Sequence, residues 1–444
     1  VFCFSSCLGL FVVNHLYNRI LMLQRSATPT FWARAGALLQ TEDYRRLLVS
    51  NTLLWHTVFM ETVALSWLVL ELTDSAWLVS LVGFCRTAPF LVGGFLAGPL
   101  ADRWGRRPVL IVAQGVSVAA YAALVLLLWA GVLALWHLMA TALILGAAWA
   151  FDWPARSALL PDLVGKARIV DATLLVNVTQ NFARMAAPAI GGTLIALTGA
   201  LGCYAAMTLL AALAWVNVRQ LSPQPLADPT PSMAGAPSHS TAVSIGAAVR
   251  YVGRNQPLLA VILITVVINW LYFPYVNLLS VFARDVLNRG PVELGLLGAA
   301  TGIGAFVGMV LISLARDRLS NGLIFTVGTV GMTLALLVFA LSPSFALSWV
   351  MLLLAGVGEA CFVIMQSSII LLAASDLMRT RVLGLMMLAI GSDPLGKLQT
   401  GYLAERIGTP WTVAAQAATA LLCVLLVAIR LPGLRCEQAM QERG

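Results

Sequence analysis

Ionisable side chains are scarce in this chain, and a few sit where hydrocarbon is expected. Glu61 lies in the middle of the apolar run 47–70, and Glu359 in the middle of the run 346–372. A charge at membrane depth is costly, so such a residue faces a partner or a watery cavity and marks a functional site by default. A carboxyl held there is a candidate proton carrier, because burial opposes its charged form. Arg184, in the run 170–196, can pair with either carboxylate or bind an anionic ligand. Asp393 and Lys397 stand four apart, one turn of a helix. The first reading is a local ion pair that lowers the cost of burial, and the second is a proton-coupling role for Asp393. Glu61, Arg184, Glu359 and Asp393 are therefore the candidates for ligand binding and proton coupling. Asp152 and Arg156 share the four-residue spacing near the end of the run 134–153 and read as an interfacial pair.

Uncharged polar groups in the same runs are candidates to line a cavity. Asn177, Asn181, Asn269 and Gln366 come first, with Gln180 and Asn277 beside them. Trp55, Trp67, Trp270, Tyr272 and Phe273 suit either an aromatic pocket or the aromatic belt of a membrane interface. His56 reads as a packing histidine before a proton relay. The four histidines, His15, His56, His137 and His239, are scattered, and neither H-E-x-x-H nor G-x-S-x-G occurs. No enzymatic centre, metal site or cofactor is expected. The segment Gly391-Ser-Asp-Pro-Leu-Gly396-Lys397-Leu398 nearly spells a nucleotide-binding loop. It lacks the final Ser/Thr and lies in an apolar helical run rather than after a strand, which excludes ATP. The seven cysteines are odd in number, and four lie in or beside apolar runs, so they read as small core residues rather than a disulfide framework.

What must position these groups is a set of membrane helices. Of 444 residues, 60% are hydrophobic and 10% are charged, against about 25% charged in a soluble domain. Mean hydropathy is +0.89. Twelve apolar runs have spanning length: 47–70, 77–100, 108–130, 134–153, 170–196, 200–218, 257–282, 292–314, 322–342, 346–372, 382–404 and 411–430. The net charge of +8 comes from 25 arginines and two lysines, set mostly in short gaps between runs. Twenty-one of these 27 fall on one side with both termini, three on the other and three within spans. That bias marks the cytoplasmic face and sets nucleic acid aside as a partner. The arginine and alanine bias suggests a GC-rich bacterial genome, so the expected location is the bacterial inner membrane, multi-pass, with both termini in the cytoplasm. Val1–Val13 is short for a span and a poor signal peptide, and a start at Met22 or an interfacial helix is favoured over a thirteenth span.

Residues 220–243 hold five prolines and read as an extended linker. Ile245, Val249 and Val252, at helical spacing beside Arg250 and Arg254, predict a short helix on the lipid surface. The expected organisation is an extension at 1–46, a first six-helix bundle at 47–219, a linker with the interfacial helix at 220–256, a second bundle at 257–430 and a tail at 431–444. The halves repeat. Gly192-Thr-Leu194 to Gly199 matches Gly401-Tyr-Leu403 to Gly408, 209 positions later, and Asp102-Arg103 matches Asp317-Arg318, 215 positions later. Such offsets are the mark of duplicated transporter halves.

Gly98-Pro-Leu-Ala-Asp102-Arg103-Trp-Gly105-Arg106-Arg107, between the second and third runs, matches the major facilitator loop motif at every defining position. The chain resembles that superfamily, and its exporter branch of enterobactin and macrolide efflux proteins more closely. Leu72-Thr-Asp-Ser75, Arg86-Thr-Ala-Pro89, Pro154-Ala-Arg156 through Val164, Arg250-Tyr-Val-Gly-Arg254 and Arg381-Val-Leu-Gly384 carry the closer likeness, from about residue 45 onward. The resemblance implies an all-α membrane protein of twelve transmembrane helices in two pseudo-symmetric six-helix bundles, the major facilitator fold. It implies Gly98, Asp102, Arg103, Gly105, Arg106 and Arg107 as a latch between the halves, and a structural role for Arg86. Pro188-Ala-Ile-Gly191-Gly192 resembles the antiporter kink, with Ala187 where its first glycine stands. The implied activity is proton-coupled export of small amphipathic molecules, with a facilitator or importer of the same fold as the alternative. The implied partners are a small-molecule substrate, protons and membrane lipids, and a monomer is expected.

Overall fold

The structure, a computed structural model, describes residues 31–165, 168–222, 241–316 and 318–431. Most of the expected extension 1–46, the proline-rich part of the linker and nearly all of the tail 431–444 lie outside the described residues, as do His15, His239 and Asp317.

Only helices are present among the described residues. A chain in lipid must satisfy each backbone amide within its own segment, and a helix does so. In chain order they are α1 (Phe31–Leu39), α2 (Glu42–Thr73), α3 (Ala76–Trp104), α4 (Arg106–Trp129), α5 (Leu135–Val164) and α6 (Ile169–Arg219). After the linker come α7 (Thr241–Arg254), α8 (Gln256–Val286), α9 (Pro291–Ala315), α10 (Asn321–Ala340), α11 (Phe345–Ala373), α12 (Asp376–Ile390), α13 (Asp393–Ile407) and α14 (Thr409–Arg430). Nine of these are long and apolar enough to cross a membrane. Large apolar side chains such as Trp129, Leu197 and Leu209 stand exposed on the outer faces, as lipid requires.

Three details differ from the sequence expectation. The predicted span 382–404 is two helices, α12 and α13, parted at Gly391-Ser392, because Pro394 has no N–H to continue the ladder. α8 widens into π-turns at Ile268–Tyr272 and Phe282–Val286. Pro274 follows the first of them, and Gly396 of α13 packs against the Trp270 carbonyl there. In α7, Ala248 and Val252 are buried against the protein, whereas Val249 is exposed. Tyr251 Oη accepts the Ser375 N–H at 3.1 Å, so the helix is moored to the start of α12 rather than only lying on lipid.

Before the linker, α2 packs on α6, α3 on α5, and α4 on both α5 and α6. After it, α11 packs on α9 and α10, and α14 on α10 and α13. The two sets meet where α6 crosses α9 and where α3 crosses α13. These crossings obey the sequence repeat. A Cβ on Gly192 would overlap the Pro291 carbonyl beside Gly295, and one on Gly401 would meet the Ser80 side chain. Gly401 follows Gly192 by 209 positions and Gly295 follows Ser80 by 215, the two offsets of the repeat. Gly199 and Gly408, with φ of 70° and 85°, break the helix at corresponding points, in a conformation that side chains resist. α6 is thus one helix over 169–198 and a second over 200–219.

Candidate functional site

A cavity of about 650 Å³ lies between the two sets of helices. It runs from Val69 and Val79, near the corner joining α2 and α3, past mid-membrane towards Leu91 and Met386. Its walls are chiefly aliphatic and aromatic. Trp55 and Trp149 face it from the first set, Phe273 and Phe362 from the second. Trp55 stacks on Phe59 at 5.4 Å and meets Trp149 edge-on at 5.0 Å, which fixes its ring.

Each charge in this region has a partner. Arg86 of α3 holds Glu61 of α2 with both ends of its fork, Nε to Oε1 at 2.8 Å and Nη2 to Oε2 at 3.0 Å. Tyr121 of α4 donates to Glu61 Oε2 at 2.9 Å. Glu61 is 3% exposed and still forms part of the cavity wall, as does Arg86. Arg86, expected to be structural, is therefore the counter-ion of the central carboxylate. Arg184 takes Glu359 instead, Nη2 to Oε1 at 2.5 Å, across the two sets of helices. Neither belongs to the cavity wall. Asp393 and Lys397 pair at 2.8 Å, as their spacing predicts, and both face the cavity. Lys397 also donates to Thr87 of α3 at 3.3 Å, a second link between the sets.

Asp152 and Arg156 pair as their spacing predicts. They are 3% and 6% exposed, a bidentate pair at 3.0 and 3.2 Å buried among the helices. Gln114 of α4 supports it, donating to Asp152 Oδ1 at 3.1 Å and to Ser50 Oγ at 3.3 Å. Gln114 was legible as a lone amide in an apolar run, whereas Tyr121, Trp149 and Thr87 carried no distinguishing signal.

The amides divide. Asn269, Asn277 and Gln366 line the cavity, and Gln366 donates to Thr265 at 2.5 Å. Asn177 and Asn181 do not belong to its wall. Asn177 is exposed, and Asn181 donates to the Asn177 carbonyl at 2.9 Å. His56 Nδ1 meets the Thr52 carbonyl at 2.7 Å and its ring lies beside Phe182, the satisfied arrangement of a packing histidine. Trp67 is buried, Tyr272 is in the core, and Trp270 bonds Gln399.

Beyond Val69 and Val79 of the cavity wall, the second set clasps the corner between α2 and α3. Arg284 of α8 donates to the Leu70 carbonyl at 3.0 Å and to Asp74 Oδ1 at 2.8 Å, where α2 ends with Asp74 at φ 49°. Glu405 of α13 accepts from Ser75 Oγ and the Trp77 N–H, both at 3.2 Å, where α3 begins. A cation thus sits at a helix C-terminus and an anion at the next N-terminus, the favourable sense at both.

The loop motif is tied within the first set. Gly105, at φ 84°, makes the corner between α3 and α4. Arg106 donates to the Ala158 carbonyl at 2.7 Å and pairs with Asp162, and Arg107 donates to the Arg219 carbonyl at 2.8 Å. Arg103 is exposed. Gly98 and Asp102 lie outside the described side chains. Pro188, Gly191 and Gly192 form the contact surface of α6. Gly191 abuts Met60 of α2, Gly192 abuts Pro291, and Gly295 of α9 abuts the Pro188 carbonyl.

The family model described as transmembrane secretion effector matches residues 34–443. The chain belongs to the major facilitator superfamily. It is a multi-pass protein of the bacterial inner membrane and a secondary transporter of small molecules in an efflux-type family, not an enzyme. The multidrug efflux pump Tap of Mycobacterium tuberculosis (strain ATCC 25618 / H37Rv) is 29% identical over 391 residues, 84% of this chain and 89% of that protein. The enterobactin exporter EntS of Citrobacter koseri is 25% identical over 420 residues, 90% and 95% of the two chains. The macrolide efflux protein A of Streptococcus pyogenes is 23% identical over 373 residues, 82% and 90%. Among solved structures, the nucleoside transporter NupG aligns with a TM-score of 0.69 at 14% identity, over 87% of this chain and 98% of that one. A bacterial homologue of the lysosomal transporter Spinster, in an inward-facing conformation, aligns with a TM-score of 0.66 at 16% identity, over 92% and 99%. At these identities the structures share the fold alone with this chain.

Proposed function

We propose that this transporter exports amphipathic small molecules, drug-like or siderophore-like, in exchange for protons. The observation that carries the reading is the central cavity, whose apolar, aromatic wall contains the Glu61–Arg86 pair. An apolar wall accepts the body of an amphipathic molecule, and a few polar groups orient it. A carboxylate that trades its Arg partner for a proton links protonation to the shape of the site. Relatives named for multidrug, enterobactin and macrolide export support the direction and the substrate class.

In this reading twelve spans form two six-helix bundles, over 47–219 and 257–430, joined by a linker at 220–256. α6 supplies the fifth and sixth spans on either side of Gly199, and α12 with α13 the eleventh. An extension at 1–46 and a tail at 431–444 lie with both termini in the cytoplasm. The cavity then opens inward, and the Arg284–Glu405 clasp closes the outer side. The bundles rock about the cavity as a monomer. Glu61 and Asp393 face the substrate, with Asn269 and Gln366 as polar lining. Arg184 and Glu359 link the bundles at mid-membrane, so the protonation of Glu359 changes how firmly they hold. Gly98, Asp102, Arg103, Gly105, Arg106 and Arg107 form the inner latch once the cavity faces outward, and Pro188, Gly191 and Gly192 give α6 its rocking surface.

The test is export of ethidium from an efflux-deficient bacterium expressing the chain, with and without a proton uncoupler. Faster export that the uncoupler stops, and that is lost in Glu61→Gln, is the expected result. Uncoupler-sensitive export that persists in both Glu61→Gln and Glu359→Gln refutes the assignment of the carriers. Export indifferent to the uncoupler identifies a facilitator.

A further inference from the structure

We propose that a single buried water links Glu61 to Asp152 inside the first set of helices, forming a proton relay behind the wall of the substrate cavity. A second, smaller cavity of about 20 Å³ lies behind the Glu61 wall, bounded by Arg86, Gln114, Ser117, Tyr121 and Asp152 together with apolar side chains. One water needs roughly 10–15 Å³ and two to four polar partners. The site meets both conditions.

Gln114 supplies an independent sign. Its Nε2 is committed to Asp152 and Ser50, while its Oε1 is buried without a protein partner. The opposite amide orientation would set Oε1 against the Asp152 carboxylate, so the acceptor is fixed where it is. An unsatisfied buried acceptor is destabilising, and a water donating to it removes that cost. Arg156 Nη1, on the far side of Asp152, is likewise buried and unpartnered. The groups on this path are otherwise joined by direct bonds, Tyr121 to Glu61 and Gln114 to Asp152.

The proton step balances. Neutral Glu61 gives its proton to the Tyr121 oxygen, Tyr121 gives its own to the water, and the water gives one to the Asp152 carboxylate. Three O–H bonds break and three form. Tyr121 and the water end unchanged, Glu61 returns as an anion to Arg86, and Asp152 becomes neutral beside Arg156. The route matters because a bulky substrate filling the central cavity covers Glu61 from that side. A relay behind the wall lets the proton pass from Glu61 to Asp152 while substrate enters.

The inference rests on Glu61 being the proton carrier, and its test separates the two. An experimental map of the full-length protein that resolves ordered water is expected to show one against Gln114 Oε1, and a dry site overturns the proposal. In proteoliposomes, ethidium-driven proton movement is read with a pH-sensitive dye in the lumen. Gln114→Leu and Tyr121→Phe are each expected to slow it at least tenfold and to leave ethidium affinity within twofold. Affinity near wild type also shows that each variant is folded. Coupling that survives Glu61→Gln overturns the carrier reading and the route together. Coupling lost in Glu61→Gln but normal in both Gln114→Leu and Tyr121→Phe overturns the route alone.

Discussion

The clasp on the α2–α3 corner predicts how far one pair of side chains biases the conformational equilibrium. Arg284 meets the C-terminal carbonyl of Leu70 and the Asp74 carboxylate, and Glu405 meets the N-terminal Trp77 amide and Ser75. Asp74 is largely exposed, so its ion pair with Arg284 is worth only about 0.2–1 kcal/mol. Each helix-end contact adds about 0.3–1 kcal/mol. In the orientation proposed above, these together favour the closed outer side by about 1–3 kcal/mol, a factor of roughly 5–150 in population. Arg284→Ala with Glu405→Ala is therefore expected to raise the outward-open fraction by that factor. The readout is the labelling rate of Cys placed at Ser80, which is fully buried where Gly401 of α13 crosses α3, by a membrane-impermeant maleimide in intact cells. When opening and closing are fast relative to labelling, the rate follows the open population. A double variant labelled no faster than the parent refutes the argument that the clasp holds this side shut.

Other substitutions test the packing and the buried pairs. Gly192→Ala and Gly401→Ala are each expected to lower the melting temperature in detergent, since the new Cβ meets the Pro291 carbonyl at one crossing and the backbone-fixed Ser80 Cβ at the other. An unchanged melting temperature in either contradicts this. Arg86→Ala leaves Glu61 buried beside an empty place and is expected to cost about 3–5 kcal/mol of stability, seen as lost expression of folded protein. Arg86→Met combined with Glu61→Gln is expected to restore much of that expression without restoring coupling. Trp55→Ala removes a ring fixed by Phe59 and Trp149 and is expected to weaken ethidium affinity several-fold with little change in turnover, measured by dye binding and efflux rate.

Much of the fold was legible because a bilayer imposes one-dimensional rules. An apolar run of about 20 residues must be a helix whatever surrounds it, and arginine placement follows the membrane faces. The runs around Glu61 and Glu359, the corner at Gly105 and the break at Gly199 were all visible as pattern. The division of the run 382–404 was less so, because Pro394 breaks a helix only where the local backbone needs the missing N–H. The repeat offsets marked duplicated halves, and the structure shows that corresponding residues meet at the two crossings.

The composition, the apolar runs and the loop motif by themselves determined a polytopic helical transporter and which ionisable groups lie at membrane depth. They did so because hydrocarbon penalises a charge wherever its eventual partner comes from. Tertiary structure alone decided the pairing. Arg86 takes Glu61, Arg184 takes Glu359, and Tyr121 and Gln114 join the buried network, each across different helices. It also left Asn177 outside the cavity wall and set Trp149 in it. Those outcomes depend on the rotation and crossing of whole helices, which small side chains at the contacts set, and no local spacing records them.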